Sequence, residues 1–500
     1  MGERILVIGG GIAGLWTVLA LSRTGREVTV LERDAPPPET SPDEAFEKWE
    51  RKGVGHLRHS HAFLARVHIL IRENYPDLME ELLASGCREI LFEDNLPATL
   101  KENYTPLSSD RDMTILTSRR TTLEFIMRRY AARQPGVRFV TGALVRDVLT
   151  EKEPNGALRV TGVRVEHEGE TKDWLADLVI DAAGKNSQMI DWLNDRGAGI
   201  TAETERAGIL YFTRHYRLHE GVSEPSRTKI PGAGDLGFIK YGVFPADNGC
   251  FSITLAVPEI EMEMRRAIVR PEVFDGICAL LPGIASWTAP ETSRAVSRVF
   301  GMGELISRWR HMVKDGEPHA LNFLPIGDSL IRTNPLYGRG CSFAAVAAEV
   351  LCETLSKTTS PRERARHYHS RLAKELRQYY DDMVKQDLAA IRRATNALNP
   401  DYQPGFKARL VKSFAEDAIM PALRSDVDLM RAFMRAFHMV DAPNVWMRDP
   451  RNITKVLRVW ARGRKRKADL YPPKLGPKRE EMYATLGIPA DADRQRMKSA

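Results

Sequence analysis

Three glycines near the start of the chain are spaced to hold a dinucleotide. Gly9, Gly11 and Gly14 form a Gly-x-Gly-x-x-Gly run between a short β-branched segment and a segment of helical spacing, and the next strand-like segment ends at Glu32 and Arg33. In such a βαβ unit the first glycine permits a tight turn, the second lets the backbone approach a pyrophosphate, and the third lets the helix pack closely. The helix N-terminus attracts phosphate, and Glu32 can accept hydrogen bonds from a ribose. The run therefore predicts a dinucleotide site; a core strand and helix with incidental glycines is the alternative.

Two later segments carry polar residues after apolar, strand-like runs. "DLVIDAAGKNS" contains Asp181 and Gly184 in an Asp-x-x-Gly-x-x-Ser element, and "LNFLPIGDS" places Asp328 directly after a glycine. Asp181, Gly184 and Asp328 thus follow strand-like runs that come after the glycine run in the chain. From the residues alone, Asp328 can be interpreted as a helix N-cap.

In this order the three motifs resemble those of FAD-dependent monooxygenases of the p-hydroxybenzoate hydroxylase type, over roughly residues 3–355. The resemblance implies that the glycine run holds the ADP part of FAD, that the Asp181 element supports FAD and NAD(P)H, and that Asp328 contacts the ribityl or ribose. "GHLRHSHAFLARV" and "NPLYGRGCSFAAVAAEVL" also look like the bacterial flavin epoxidases of polyether biosynthesis, which are distantly similar to squalene monooxygenase. Arg339 and Cys341 depart from the family's usual Gly-x-Gly-Met.

The segment "NPLYGRGCS" suits the edge of the isoalloxazine ring. Pro335 fixes the approach of the chain, and Gly338 and Gly340 let backbone N–H groups come close. The N-terminus of the following helix can stabilise negative charge at flavin N1 and O2. An ordinary strand-to-helix turn is the alternative for the two glycines.

Two arginines are candidates for the flavin or its pyrophosphate. The resemblance places an arginine of this region, here Arg58, near the cofactor, and Arg119 is a second candidate with Arg120 as its rival. The planar fork of arginine suits phosphate, although a surface ion pair is the alternative for each. The nearby histidines of "HLRHSH" lack a fourth partner on one face, so no metal site is predicted.

Residues from about 205 to 260 have the pattern of strands, which predicts a second sheet that contacts the substrate. Tyr241, Phe244 and Phe251 are candidates to line its pocket. The alternative is that these aromatic side chains are part of an ordinary core. No catalytic residue is assigned from the sequence.

Composition narrows the class of protein. Five cysteines without a C-x-x-C pair favour a reduced cytoplasm over a disulfide framework. The first apolar segment, Ile5–Ser22, contains four glycines and lacks a cleavage site, so neither a membrane anchor nor a signal peptide is expected.

The net charge of +7 is concentrated in the run from Ala461 to Glu480. We interpret that run as a solvated basic tail and predict no nucleic-acid partner, with peripheral membrane contact as the alternative.

The patterns together predict an α/β fold with a Rossmann-like FAD-binding domain, an inserted antiparallel β-sheet substrate domain and a C-terminal helical region. The expected boundaries are residues 1–200 and 301–360 for the FAD-binding domain and residues 201–300 for the substrate domain. Residues 361–500 form the helical region with its basic tail.

The expected function is that of an NAD(P)H- and O₂-using monooxygenase. The resemblance implies that it epoxidises or hydroxylates a small hydrophobic substrate through a flavin C4a-hydroperoxide, with a separate flavin reductase as an alternative electron source. Two other functions remain open: a geranylgeranyl reductase-like enzyme acting on an alkene, and a non-catalytic flavin- or lipid-binding protein.

Overall fold

The computed structural model of the chain describes residues 3–61, 63–154, 156–226 and 230–499. The apolar segment at the start divides into strand β1 (Ile5–Ile8) and helix α1 (Ile12–Ser22), with a φ of +100° at Gly9 in the turn between them. Among the described residues, no helix combines the length and the apolar character that a membrane crossing requires.

A five-stranded parallel sheet forms the centre of the first core. Four of its strands are short runs with residues buried on both faces, as expected for a sheet covered by helices, whereas the edge strand Val137–Thr141 is only partly buried. The last strand joins the sheet only after the chain has passed through a second sheet. In spatial order the strands are β21 (Phe323–Pro325), β9 (Leu178–Asp181), β1, β2 (Val28–Glu32) and β5 (Val137–Thr141).

The second sheet has six antiparallel strands. Four of them come from the segment of residues 205–260 that the sequence predicted to be a separate sheet, and two come from residues 293–302. One face packs on a second hydrophobic core, which includes Tyr216, Ile253 and Trp287. The strands in spatial order are β12 (Ala233–Asp235), β13 (Lys240–Pro245), β14 (Cys250–Pro258), β11 (Ile209–Leu218) and β15 (Ser293–Ala295), and β16 (Phe300–Met302) also pairs with β11.

Four smaller sheets complete the strand structure of the described residues. They are β20 (Ala320–Leu321) with β7 (Leu158–His167), β6 (Leu144–Lys152) and β8 (Glu170–Leu175); β10 (Thr201–Arg206) with β17 (Ile306–His311) and β22 (Ile331–Arg332); β3 (Arg88–Ile90) with β4 (Ile115–Thr117); and β18 (Val313–Lys314) with β19 (Glu317–Pro318).

The helices before residue 360 connect or cover the sheets, and α1, α6 and α11 pack together beside the parallel sheet. Besides α1 they are α2 (Pro42–Lys48), α3 (Ala65–Asn74), α4 (Pro76–Ala84), α5 (Ala98–Lys101), α6 (Arg120–Ala132), α7 (Met189–Asp195), α8 (Met262–Ala267), α9 (Pro271–Leu280), α10 (Pro282–Thr288) and α11 (Arg339–Lys357).

The rest of the chain is helical. A π-helical segment, Phe414–Ile419, joins two of these helices. They are α12 (Pro361–Leu398), α13 (Phe406–Ser413), α14 (Met420–Leu423), α15 (Val427–Phe437), α16 (Val445–Arg448), α17 (Pro450–Ala461), α18 (Arg479–Thr485) and α19 (Asp491–Ser499). The predicted fold class is confirmed.

The basic run at the C-terminus is not a free solvated tail. Lys467 is buried and donates to the carbonyls of Asp417 and Val459. Arg479 is also buried, 2.8 Å from a carboxylate oxygen of Glu261. Residues of α18 then pack into the second core. The prediction of a solvated run holds for Arg462 and for residues 464–466, which are exposed. It is wrong for Lys467 and Arg479, because their partners are far away in sequence.

Candidate cofactor and substrate site

One cavity of about 610 Å³ is lined by residues from both large sheets. It lies at the carboxyl ends of β1, β9 and β21, where open α/β sheets bind ligands. All three sequence motifs contribute to its lining. The glycine run contributes Gly9 and Gly11, the Asp181 element contributes Gly184, and the third motif contributes Asp328.

The glycines of the first motif have different structural requirements. A Cβ at Gly14 would stand 1.9 Å from the carbonyl oxygen of Gly9, so the helix can pack on this turn only without a side chain. A Cβ at Gly11 would meet nothing nearer than Nη1 of Arg51 at 4.0 Å, and φ there is −79°. The protein itself therefore does not require glycine at residue 11, although a side chain there would occupy the cavity at the N-terminus of α1.

Glu32 is buried and already has several partners within the protein. Its Oε2 accepts from the backbone N–H of Gly10 at 2.7 Å and lies 2.6 Å from Nη2 of Arg51, while its Oε1 accepts from the N–H of Asp34 at 2.9 Å. A carboxylate offers about four acceptor sites, so roughly one remains for a ligand. Arg33 also lines the cavity and is partly exposed.

Asp181 holds the second motif together and does not line the cavity. Its carboxylate accepts from the hydroxyl of Ser187 at 2.6 Å and from the N–H of Ala183 at 3.1 Å. Burial raises the pKa of Asp181 to about 6, against the lowering effect of these hydrogen bonds. Gly184 and its neighbour Lys185, by contrast, line the cavity.

Asp328 lies on the cavity wall without a hydrogen bond to its carboxylate among the described residues. The short 3₁₀ helix Gly327–Ser329 has Ile326 at its N-cap, and α11 begins after Gly338. The alternative of a helix cap is therefore wrong. Burial raises the pKa of Asp328, an effect opposed by the nearby cations Arg332, Arg120, Arg308 and Lys185.

The segment from Pro335 to Gly340 passes along the cavity and opens α11 there. Gly338 has a φ of +63° and is the N-cap residue of α11. Asn334 fixes the segment: its Oδ1 accepts from the hydroxyl of Tyr211 at 2.6 Å, and its Nδ2 donates to Asp387 of α12 at 2.8 Å. The long C-terminal helix thus positions this edge of the cavity.

Arg339 and Cys341, the two residues that depart from the family pattern, lie in different environments. Arg339 is buried and turns away from the cavity, where it donates to the carbonyl of Tyr379 at 2.6 Å. Cys341 lines the cavity, and burial raises its pKa to about 11.

Arg58 and Arg119, the two arginines expected near the cofactor, do not line the cavity. Arg58 donates from Nε to the carbonyl of Phe46 at 2.9 Å, near the C-terminal end of α2, where carbonyls lack helical partners. Arg119 is bound to Asp247 through its backbone and its guanidinium. The rival Arg120 does line the cavity, with its Nη1 3.0 Å from Nε2 of His61.

Of the three aromatic candidates, Phe244 lines the cavity with its neighbours on the same sheet face. Phe251 is core: its ring stacks on Tyr216 with centroids 5.3 Å apart. Tyr241 borders the cavity, but its side chain belongs to the second core, with its hydroxyl 3.4 Å from the carbonyl of Leu475. Residues 241 and 244 differ by three, and strand side chains alternate, so the two could not have shared a face.

Several cavity residues were missed by the sequence analysis. Arg51 lines it from a loop and Lys185 from the 3₁₀ helix Gly184–Asn186, where no local pattern identifies them, and Phe437 reaches it from α15. A polar strip on the second sheet, containing Thr213 and Thr254, was also missed. Its signal was present: "CFSITLAVP" alternates between small polar and apolar residues, a pattern usually typical of a strand with one solvated face.

Comparison with known proteins supports the cofactor class. Residues 4–103 match the family model of FAD dependent oxidoreductases. No curated protein matches the chain in sequence.

The fold occurs in flavin enzymes of several activities. Similar solved structures include pqsL, a probable FAD-dependent monooxygenase from Pseudomonas aeruginosa, at 16% identity and a TM-score of 0.55, covering 78% of this chain and 97% of that one. The myxobacterial chondrochloren halogenase CndH has 16% identity and a TM-score of 0.57, with 92% and 96% covered. The Diels-Alderase PyrE3 of pyrroindomycin biosynthesis has 17% identity and a TM-score of 0.54, with 88% and 81% covered. Residues 4–103 are therefore similar to FAD dependent oxidoreductases, and the chain shares its fold with a probable FAD-dependent monooxygenase and a halogenase.

Proposed function

We propose that the chain is an FAD-dependent monooxygenase that uses O₂ and NAD(P)H to epoxidise or hydroxylate a small, largely hydrophobic substrate. The observation that carries this proposal is the single cavity in which the Gly11 loop, Asp328 and the Pro335–Gly340 segment meet the inner face of the second sheet. The match of residues 4–103 to FAD dependent oxidoreductases supports the cofactor.

The residues at one end of the cavity fit the ADP part of FAD. The first N–H groups of α1 have no partner within the helix, and together with the helix dipole they attract a pyrophosphate. Gly11 leaves the space beside them open, since a Cβ at this residue would fill it. Glu32 keeps roughly one acceptor site for a ribose hydroxyl, with Arg33 beside it.

The residues at the other end fit the ribityl and the isoalloxazine ring. Asp328 offers a carboxylate without a protein hydrogen bond as an acceptor for a hydroxyl of the cofactor. Pro335, Gly338 and Gly340 would lie along the ring edge, and the N-terminus of α11 would stabilise negative charge at flavin N1 and O2. Gly184 would support the cofactor from the second motif.

Bound and reduced, FAD supplies the electrons that activate O₂. The chain's own contribution is to orient the substrate and exclude water. Apolar side chains from three regions are placed to do both, namely Phe244 on β13, Leu336 beside α11 and Phe437 on α15. These contacts give the C-terminal helices a part in closing the site.

Oxygen consumption by the FAD-loaded protein tests the proposal. After anaerobic photoreduction, mixing with O₂ should reoxidise the flavin, and steady turnover with NADH or NADPH should consume about one O₂ per reduced nicotinamide. If neither nicotinamide reduces the flavin but an added flavin reductase does, the electrons come from a separate protein. Nicotinamide oxidation without O₂ consumption would instead indicate an alkene reductase, and a reduced flavin that is stable in air would contradict the proposal.

A further inference from the structure

The short 3₁₀ helix Pro335–Tyr337, at the edge of the cavity, is held from outside by the long helix α12. Its N-cap residue, Asn334, donates from Nδ2 to Oδ1 of Asp387 at 2.8 Å, and the hydroxyl of Tyr337 donates to the same oxygen at 2.9 Å. One turn earlier on α12, the sulfur of Met383 accepts from the backbone N–H of Asn334 at 3.3 Å. Asp387 is buried. One carboxylate oxygen therefore holds both ends of this short helix.

The donor and acceptor roles in these contacts follow from the groups themselves. An ionised carboxylate only accepts and an amide nitrogen only donates, so both hydrogens point at Oδ1 of Asp387. The amide oxygen of Asn334 accepts in turn from the hydroxyl of Tyr211 at 2.6 Å and from the N–H of Leu336 at 3.1 Å. The cavity edge is thus bound to β11 on one side and to α12 on the other.

Charged and titratable side chains from several elements surround Asp387. Tyr337 and Tyr211 are phenols whose pKa is raised by burial and by the charge of Asp387, whereas Arg339 of α11 and Lys240 of β13 are positive. Burial raises the pKa of Asp387 to about 6, against the lowering effect of the hydrogen bonds that it accepts and of these two cations. Asp387 is therefore mostly ionised at about pH 7.5 and mostly protonated at about pH 5.

We infer that Asp387 is a positioning residue for the cofactor site, and that its ionised carboxylate holds the Pro335–Gly340 segment in the conformation that binds FAD. A hydrogen bond to a charged acceptor is roughly twice as strong as one to a neutral acceptor, so the ionised form holds Asn334 and Tyr337 more firmly than the protonated form. The inference rests on the proposed function for the identity of the cofactor. It gives a specific part in cofactor binding to α12, which lies beyond the residues that resemble the monooxygenase family.

Titration of FAD into the full-length protein between about pH 5 and about pH 7.5, followed by flavin fluorescence, tests this inference. Asp387→Asn imitates the protonated form, because its amide oxygen can take the place of Oδ1 and accept both hydrogen bonds without a charge. At about pH 7.5 the wild type should bind FAD at least about fivefold more tightly than Asp387→Asn, and at about pH 5 the two affinities should be nearly equal. The comparison cancels the titration of groups present in both proteins, such as Asp181. Equal affinities of the two proteins at every pH would overturn the inference.

Two further variants separate positioning from folding. Asp387→Ala removes both hydrogen bonds, so at equal folded fraction it should bind FAD about tenfold more weakly than Asp387→Asn at every pH. Asp381→Asn is the matched control, because it neutralises an acid of the same helix that pairs with Arg377, and it should keep the pH dependence of the wild type. Wild-type FAD affinity in Asp387→Ala, or loss of the pH dependence in Asp381→Asn, would overturn the inference alone. A wild type that binds no FAD at any pH would overturn the proposed function as well.

Discussion

Two acids, Glu32 and Asp328, face the cavity from its opposite ends and differ in how many hydrogen bonds and ion pairs their carboxylates form within the protein. Glu32 accepts from two backbone N–H groups and forms an ion pair with Arg51. The carboxylate of Asp328 has no hydrogen bond among the described residues, although four cations act on it from a distance. Glu32 is buried and Asp328 is partly buried, and the two acids differ above all in their hydrogen-bond partners.

The difference shows that one acid belongs mainly to the fold and the other is open to a ligand. An ion pair at Glu32 ties the end of β2 to the loop after α2 and, through Glu124, to α6. A carboxylate that is partly buried and has no hydrogen-bond partner is unfavourable, and Asp328 is such a group among the described residues. We interpret the unpaired acid as a cofactor contact and the paired acid as the framework around it. The predictions below test this contrast, from the largest expected effect to the smallest.

Replacing Arg51 should have the largest effect on stability. Arg51→Met leaves Glu32 without its cation and removes one of two cations from the fully buried Glu124. Breaking such a buried pair costs about 3–5 kcal/mol, which denaturant unfolding of the cofactor-free protein measures. Arg33→Met is the control, because Arg33 is partly exposed and should change stability by less than about 0.5 kcal/mol. Similar losses of unfolding free energy in Arg51→Met and Arg33→Met would show that the ion pairs of Arg51 with Glu32 and Glu124 do not stabilise the fold.

A substitution at Gly11 should weaken FAD binding without preventing folding. Gly11→Val should fold, at a cost of at most about 1 kcal/mol at the helix N-cap, because its side chain meets no protein atom closer than 4.0 Å at Cβ. It should nevertheless weaken FAD binding by about 100-fold or more (about 2.7 kcal/mol or more), since the side chain occupies the pyrophosphate position. Gly14→Val is the matched contrast: its Cβ would overlap the carbonyl of Gly9, so it should fail to fold. FAD titration and circular dichroism of both variants check this, and normal FAD affinity in Gly11→Val would contradict it.

Asp181 is an acid that accepts two hydrogen bonds but forms no ion pair with the residues that the structure describes. Its pKa is raised from 3.8 to about 6 by burial, so its contribution to stability is full below about pH 4 and is lost as the pH rises through 6. The free energy of unfolding of the wild type minus that of Asp181→Asn should therefore fall by on the order of 2 kcal/mol between about pH 4 and about pH 7. Urea unfolding across this range measures the difference. A difference that stays constant with pH would show that burial does not control this carboxyl.

The elements around the glycine run could be predicted from the sequence because their causes are local. A strand, a tight turn at Gly9 and a helix that needs Gly14 follow from neighbouring residues, and the structure contains all of them. The same holds for the helix that opens after Gly338. In each case the residues that determine the conformation are close neighbours in the sequence.

The cations and the substrate wall could not be predicted in this way. Arg58 and Arg51 are seven positions apart in one loop, and only the folded loop shows which of them reaches Glu32. The polar face of β14 has the alternation of a solvated strand, yet the loop that carries His59 and Ser60 covers it. Both outcomes depend on contacts between residues far apart in sequence, about which spacing carries no information.

Titration of FAD into the wild type and Asp328→Asn tests the central claim most directly. The claim is that this cavity binds FAD and that the unpaired carboxylate of Asp328 is one of its contacts. We predict that the wild type acquires the absorption of a bound flavin, with bands near about 370 and about 450 nm. Asp328→Asn should bind FAD about tenfold more weakly, the effect of one hydrogen bond to a charged group, with no loss of stability because no hydrogen bond of the protein is broken. A wild type that does not bind FAD, or equal dissociation constants in the two folded proteins, would contradict the account.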